Sequence, residues 1–363
     1  MHLYQLLRQS AKAAEAIQNE DGSMPAGHNG LYNHPDTNVP NTARWLLVYC
    51  KCFDYFGDED IREAATSAAE YLISNQARPE SETYYCRNTN LKDKCNGLMG
   101  QALCIYALSV YYDLFGDESA KEIAEEVFLK HPFDDKLGVW KRVEINGKIL
   151  PFDATFNHQL WFAGAGSMLK YNPEINKKTK LFLNRLPKIF DIYQSGLIKH
   201  PLRISGELCY RISKILDKNY LYLEKNSILK PYHDLSLREK AVGYHSVNLY
   251  GFSLLKKQYP NHEVWSNTKI QKALSYIGSN VYQKNIYDNP RGFVNNPTGF
   301  QNALAIEMFL NEPRERAYDW AKEQISTTYD FNSHFMNKGA SDPLSQASEI
   351  YSAIHLPNYE FEG

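Results

Sequence analysis

The chain has 363 residues, 43% hydrophobic and 23% charged, a balance that supports a large core and leaves no compositional case for disorder. The formal net charge is −2 and no dense run of Lys and Arg is present to neutralise a phosphate backbone, so nucleic acid is not an expected partner. The opening stretch, MHLYQLLRQSAKAAEAIQNEDG, is too polar for a signal peptide, and no eighteen-residue apolar window stands out, so the expectation is a cytoplasmic chain with no transmembrane segment.

Taken in order, residues 2–18 read as an amphipathic helix, followed by a loop over 21–42 that carries Asp21, His28, His34 and Asp36 without any helical periodicity. The next two stretches announce a repeat. NTARWLLVYCKCFDYFGDEDIREAATSAAEYLISNQ starts at Asn41 and NGLMGQALCIYALSVYYDLFGDESAKEIAEEVFLKH starts at Asn96, a spacing of 55 residues. Each runs from an apolar helix through a Gly-Asp-Glu turn into a charged amphipathic helix, with Gly57 and Gly116 as the stops. The first helix of each pair is apolar on nearly every side and expects burial, whereas the second expects one face in solvent. This is an αα-hairpin with an inner and an outer member.

Degraded copies continue the pattern. Further inner-type helices are predicted at 156–169, 244–257, 300–310 and 345–355, and outer-type ones at 61–75, 119–131, 176–193, 268–280 and 314–327. With the first helix this makes six of each kind. The fold class expected is all-α, an (α/α)6 toroid in a single domain over 1–363, with an irregular insertion around 201–240 and an open α-solenoid as the alternative. The long connections rich in Gly, Pro and Asn all run from an outer helix to the next inner one, so closure of the ring collects them at one mouth, where the site belongs.

Several residues at that mouth carry candidate chemistry. Arg44 suits an acidic group on a ligand, and Trp45 offers a stacking face. The segment FDATFNHQLW, from Phe152 to Trp161, sets Asp153 just before a helix whose first turns present Asn157 and His158, with Trp161 one turn on. GYHSVN, from Gly243, gives Tyr244 and His245 a similar place in the next inner helix, so His158 and His245 could both point into one cavity or be held apart by the geometry of the ring. The candidate catalytic set is Asp153, His158, His245 and Tyr244, and the candidate substrate-binding set is Asp36, Arg44, Trp45, Asn157, Trp161, Arg291 and Asp342. Of the six cysteines, Cys50, Cys52 and Cys104 lie inside helical patterns and read as buried thiols, whereas Cys86 and Cys95 sit in one loop and could meet. No Walker, dinucleotide-binding, HExxH or GxSxG pattern and no Cys–His cluster of metal spacing is present, so no cofactor or metal is expected.

On NTARW, CNGLMGQAL from Cys95, FDATFNHQLW, GYHSVNLYG and GFQNALAIE from Gly299, the chain resembles the six-hairpin glycosidase superfamily along nearly its whole length. That superfamily includes unsaturated glucuronyl and rhamnogalacturonyl hydrolases and has relatives among polysaccharide lyases and sugar epimerases. The resemblance implies a carbohydrate-active enzyme that processes a glycan or a surface-polysaccharide precursor, provisionally a glycoside hydrolase. In the hydrolases an aspartate belongs to an inner helix, whereas the comparable helix here presents Asn157, His158 and Gln159. A lyase or epimerase using His and Tyr is therefore the alternative, and a non-catalytic glycan-binding or scaffold protein a further one. The partner expected is an oligosaccharide, a polysaccharide or a lipid-linked glycan.

Overall fold

The computed structural model describes residues 1–203, 230–310 and 314–361. Within these, the inner members are α2 (Val39–Phe56), α4 (Gly97–Phe115), α6 (Phe156–Met168), α9 (His245–Gln258), α12 (Thr298–Phe309) and α14 (Pro343–Ser348), the last tightening into a 3-10 turn over Glu349–Ala353. Around them lie α1 (Leu3–Glu15), α3 (Glu59–Ile73), α5 (Glu118–Leu129), α7 (Pro173–Ile189), α8 (Lys230–Gly243), α10 (Thr268–Ser275), α11 (Asn280–Tyr287) and α13 (Arg314–Thr328). Each inner helix packs on the next, and the 3-10 turn after α14 touches both α12 and α2, so the inner ring closes on itself. The fold is an (α/α)6 toroid.

Local chemistry sets where the hairpins turn. Gly57 and Gly116 end α2 and α4 in the left-handed conformation, at φ 71° and 72°, which a side chain would strain. Asp117 then caps α5 by accepting from the amides of Ser119 and Ala120. The ring is sealed where the chain ends meet: the Leu3 amide donates to Tyr359 O at 2.8 Å and the Tyr4 hydroxyl to Leu356 O at 2.7 Å.

The structure departs from expectation at a few places. Between α5 and α6 the chain forms a small antiparallel sheet of Phe133–Asp134, Val139–Val143 and Ile149–Phe152, which a helical reading does not contain. The predicted outer helix at 268–280 breaks after Ser275 and resumes as α11. Among the described residues α4 is the one helix long and apolar enough to cross a membrane by length and composition. It packs between α2 and α6, so its apolar length is matched by helices around it. Cys50, Cys52, Cys86, Cys95 and Cys104 are free and buried. Cys209 and most of the irregular stretch, residues 204–229, lie outside the described residues.

Four histidines are packed into this architecture as neutral groups. Burial pushes His131 and His245 down to about 4 and, with nearby lysines adding to it, His200 and His355 down to about 3. The unfolded chain, with an ordinary histidine pKa near 6.5, binds more protons than the folded one throughout that window. Stability is therefore expected to be full above about pH 6.5 and to fall as pH drops toward 4, each histidine steepening the slope by up to about 1.4 kcal/mol per pH unit. Urea unfolding followed from pH 7.5 to 4.5 checks this, and a His131→Gln variant should show a shallower dependence than the wild type.

Candidate active site

The loops and the N-terminal turns of the inner helices surround a cavity of about 280 Å³ at one mouth of the toroid. Its chemistry begins at the start of α6. Thr155 occupies the cap position, and Asp153 lies two residues earlier, where its Oδ1 accepts the Thr155 amide at 3.2 Å. Its Oδ2 accepts the Leu98 amide at 3.0 Å and meets His158 Nδ1 at 2.8 Å. Gly97, at φ +58°, leaves room for this carboxylate, since a Cβ there would stand 2.4 Å from Asp153 Oδ2.

Asp153 is 5% exposed, and burial alone would favour its neutral acid. His158, Arg142 and the Leu98 amide outweigh that and hold the carboxyl well below the usual range. An ionised carboxylate has no proton to give, so the hydrogen in the 2.8 Å contact belongs to His158 Nδ1. In the neutral ring this places the lone pair on the other nitrogen, Nε2, and His158 lines the cavity. Behind the pair, Arg142 reaches Asp93 at 2.5 Å, and Asp93 also receives Arg87 at 3.3 Å.

Farther along the wall, the His200 ring lies 5.0 Å from that of Tyr244, whose hydroxyl is 3.1 Å from the Tyr32 hydroxyl. Tyr32 ends a short 3-10 turn, Gly30–Tyr32, set between Asn29 and Asn33, both left-handed. Two ammonium groups flank its ring, Lys92 at 4.9 Å and Lys240 at 5.5 Å from the centroid. Neither lysine has a carboxylate at salt-bridge distance among the described residues. The loop strands carrying Tyr32 and Lys92 are held together at Asp36 and Arg87, where the Asn88 amide donates to Pro35 O at 2.8 Å.

Opposed charges line the rest. Arg44 pairs with Glu349 at 2.9 Å and donates to Asn41 at 3.1 Å. Burial pushes Glu349 up, with Arg44 opposing it. Asp36 is pushed up to about 6 by burial, against the pull of Arg44 and Arg87 and with the help of Asp342. For Asp342 burial also works against charge, but the Ser345 contacts and the His28 and Gly30 amides prevail and hold it low.

Eight of the sequence candidates line this cavity: His158, Tyr244, Asp36, Arg44, Asn157, Trp161, Arg291 and Asp342. Three do not. Asp153 stands behind His158. His245 is fully buried, with Nδ1 accepting the Ile198 amide at 3.3 Å and Nε2 bonded to Ala273 O at 3.1 Å, so it shares no cavity with His158. Trp45 packs against Phe335 and Tyr49 in the core and is no sugar platform at this mouth. The reason is common to the last two: neighbours on a helix point about 100° apart, so Tyr244 and Arg44 face inward and the residue after each does not. Sequence reasoning missed Tyr32, Arg87, Lys92, His200 and Lys240, most of them on loops that have no periodicity to read. The alternation Asn29-Gly-Leu-Tyr-Asn33, favourable to left-handed backbone, is the signal that marks the Tyr32 turn.

No protein-family model matches the chain. It is 39% identical over 364 residues to archaeal glycosylation protein Q of Haloferax volcanii, covering 99% of this chain and 98% of that protein. Its fold is similar to that of cellobiose 2-epimerase from Spirochaeta thermophila, at 14% identity and TM-score 0.61 over 97% of this chain and 95% of that one. It is likewise similar to the unsaturated glucuronyl hydrolase of a Bacillus species (12%, TM-score 0.59, covering 97% and 96%). An α-1,6-mannanase of a Salegentibacter species, solved with α-1,6-mannotetrose, matches at 12% and TM-score 0.56, covering 97% and 98%. These neighbours are six-hairpin toroids, as the sequence motifs implied.

The raised Asp36 carboxyl has a consequence for stability. Folded Asp36 keeps its proton up to about pH 6 while the unfolded chain loses it near 3.9, so this residue costs stability as pH rises between those values. Asp36→Asn should therefore raise the unfolding temperature at pH 7.5 and leave it nearly unchanged at pH 4, with a gain of at most about 3 kcal/mol. Thermal unfolding at the two pH values is the check.

Proposed function

The chain belongs to the family of archaeal glycosylation protein Q, and on that footing we propose that it is a carbohydrate-active enzyme that moves a proton at the carbon beside the carboxylate of an acidic sugar within a glycan. The observation that carries this reading is the His158–Asp153 pair. A buried, ionised carboxylate fixes the imidazole tautomer, aims the free nitrogen at the cavity and stabilises the imidazolium that forms when that nitrogen takes a proton.

The charges of the mouth suit such a substrate. Removing a hydrogen next to a carboxylate puts a second negative charge on that group, which is feasible only where cations receive it. Lys92, Lys240, Arg87 and Arg291 line the cavity, while the acids beside them are partly neutralised: Asp36 holds its proton to about pH 6 and Glu349 is paired with Arg44. In the proposed step the C–H bond breaks, its proton goes to His158, and the electron pair spreads into the sugar carboxylate. Return of a proton to the opposite face gives the epimer. Loss of the substituent on the next carbon, which leaves with a proton, gives the unsaturated sugar. The glycan partner is an oligosaccharide, a polysaccharide or a lipid-linked chain entering by the open mouth.

Hydrolysis is the second reading, and Asp36 favours it. Its carboxyl is pushed up to about 6 while the neighbouring Asp342 is held low, the division between an acid and a base that glycoside hydrolysis uses. Asp153 does not serve as that acid, because it is ionised and lies behind the imidazole.

Incubation with oligoglucuronate and oligogalacturonate in deuterium oxide enriched in heavy oxygen separates the readings by mass spectrometry. Proton transfer predicts enzyme-dependent deuterium at the carbon beside the carboxylate, lost by about 10²–10⁴-fold in His158→Gln, with binding retained. Asp153→Asn should lose activity too, since the amide imposes the wrong tautomer. Heavy oxygen with chain shortening that disappears in Asp36→Asn would instead establish hydrolysis. Saturable binding without either isotope would make the protein a glycan-binding module.

A further inference from the structure

Tyr32 and Tyr244 form an arrangement that the histidine alone does not explain. Their hydroxyls lie 3.1 Å apart in a cavity wall, so one of them must donate to the other and a single proton lies between two oxygens. Tyr244 stands at the entry to α9, and its backbone oxygen receives both the Asn248 amide and the Asn248 side chain, which fixes its position. Tyr32 is fixed by an unusual loop. Its turn is bracketed by two left-handed asparagines, and the Gly30 amide is tied to Asp342 at 3.2 Å. Backbone held in this way on both sides of one side chain is a common mark of a functional position.

We propose that Tyr32, hydrogen-bonded to Tyr244 and set among Lys92, Lys240 and Arg291, is a second proton carrier of the site, acting as the acid when His158 acts as the base. The inference rests on the proton-transfer reading above. A reaction that takes a proton from one face of a sugar carbon and returns one to the other needs two carriers, as does an elimination that must protonate its leaving group. His158 supplies one. In the step, the sugar C–H proton goes to His158 and the Tyr32 hydroxyl gives its proton to the carbon or to the departing oxygen. The enzyme then holds an imidazolium beside Asp153 and a phenolate at Tyr32, and exchange with water restores both.

The surroundings stabilise that phenolate. The two ammonium groups lie 4.9 and 5.5 Å from the ring, and the Tyr244 hydroxyl can donate to the phenolate oxygen. Burial works against ionisation of Tyr32, but Lys240, the Tyr244 hydroxyl and Arg291 prevail and lower it, whereas burial and then Tyr32 itself push Tyr244 well above the usual phenol range. The two phenols thus divide the roles: Tyr32 gives up its proton and Tyr244 keeps its own. His200, its ring 5.0 Å from Tyr244 and kept neutral by burial and Lys240, lies within the reach of the charges on His158 and Asp153. Kept neutral, it adds no third charge to this wall.

Ultraviolet titration of the intact protein tests the pair without any substrate. One of the 26 tyrosines should ionise before the others, this early step should vanish in Tyr32→Phe, and it should move to higher pH in Lys240→Met. With oligoglucuronate or oligogalacturonate in deuterium oxide, Tyr32→Phe should still exchange the hydrogen at the His158 face yet lose epimer or unsaturated product by about 10²–10⁴-fold, with KM little changed. Because the acid form is required, wild-type turnover should fall as pH rises through the Tyr32 ionisation. 3-Fluorotyrosine at position 32, a stronger acid, should shift that fall to lower pH, which a purely structural role would not do. Absence of an early tyrosine in the titration, or full product formation by Tyr32→Phe, overturns the proposal. If wild-type protein exchanges no sugar hydrogen, the sugar chemistry falls and the titration alone decides the pair.

Discussion

Everything in this molecule follows from the need to cover inner helices that are apolar on nearly every side. A helix such as α4, with Leu98, Leu103, Ile105, Tyr106 and Leu108 all buried, cannot rest at a surface. It requires neighbours of its own kind on both flanks and an amphipathic layer outside, and in this chain the six inner helices supply one another's flanks by closing into a ring. The terminal contacts at Leu3 and Tyr4 complete the closure. The polar side chains buried between the helices, His131 and His245 among them, are uncharged, and the ionised side chains of the interior gather at the mouth, where helix starts and long loops meet.

The mouth places charge economically. Asp153 is ionised in a buried position because one imidazole and two backbone amides converge on it, and that charge dictates how His158 presents itself to the cavity. Arg44 and Glu349 neutralise each other across α2 and the last inner turn, a partly buried pair in which loss of either partner would strand the other. Among the described residues Lys92 and Lys240 have no carboxylate partner at salt-bridge distance, and both line the cavity, where the proposed acidic sugar would meet them. The same low-dielectric setting that sharpens these interactions keeps His131, His200, His245 and His355 uncharged, so the architecture is built for neutral rather than acidic surroundings.

Hydrolases and an epimerase are both among the structural neighbours of this toroid, so the fold does not choose a reaction. The choice rests with the side chains at one mouth. Here an inner-helix imidazole backed by a carboxylate replaces the aspartate expected of the hydrolases, and two phenols within hydrogen-bonding distance stand along the same wall. These groups suit the proposed proton transfer, in which the cationic loops would receive the charge of a carbanion beside a carboxylate.

The sequence by itself determined what depends on neighbours a few residues away. Periodicity separated inner from outer helices, Gly57 and Gly116 marked their ends, and the one-sided long loops located the mouth. It also brought Asp153, His158 and Tyr244 forward. The small sheet was within reach of the same reasoning, since Asn146-Gly147 is a turn signal between two runs of strand-forming residues, but the strength of the helical repeat overrode it. Only the tertiary structure decided which of two adjacent residues faces the cavity. On a helix that is apolar all round, nothing local distinguishes the side of Tyr244 from that of His245, or Arg44 from Trp45, and the rotation is set by packing in the closed ring. Likewise, Tyr32, Lys92 and His200 come together from three loops far apart in the chain, where no spacing encodes proximity and only closure of the toroid brings their side chains to one cavity.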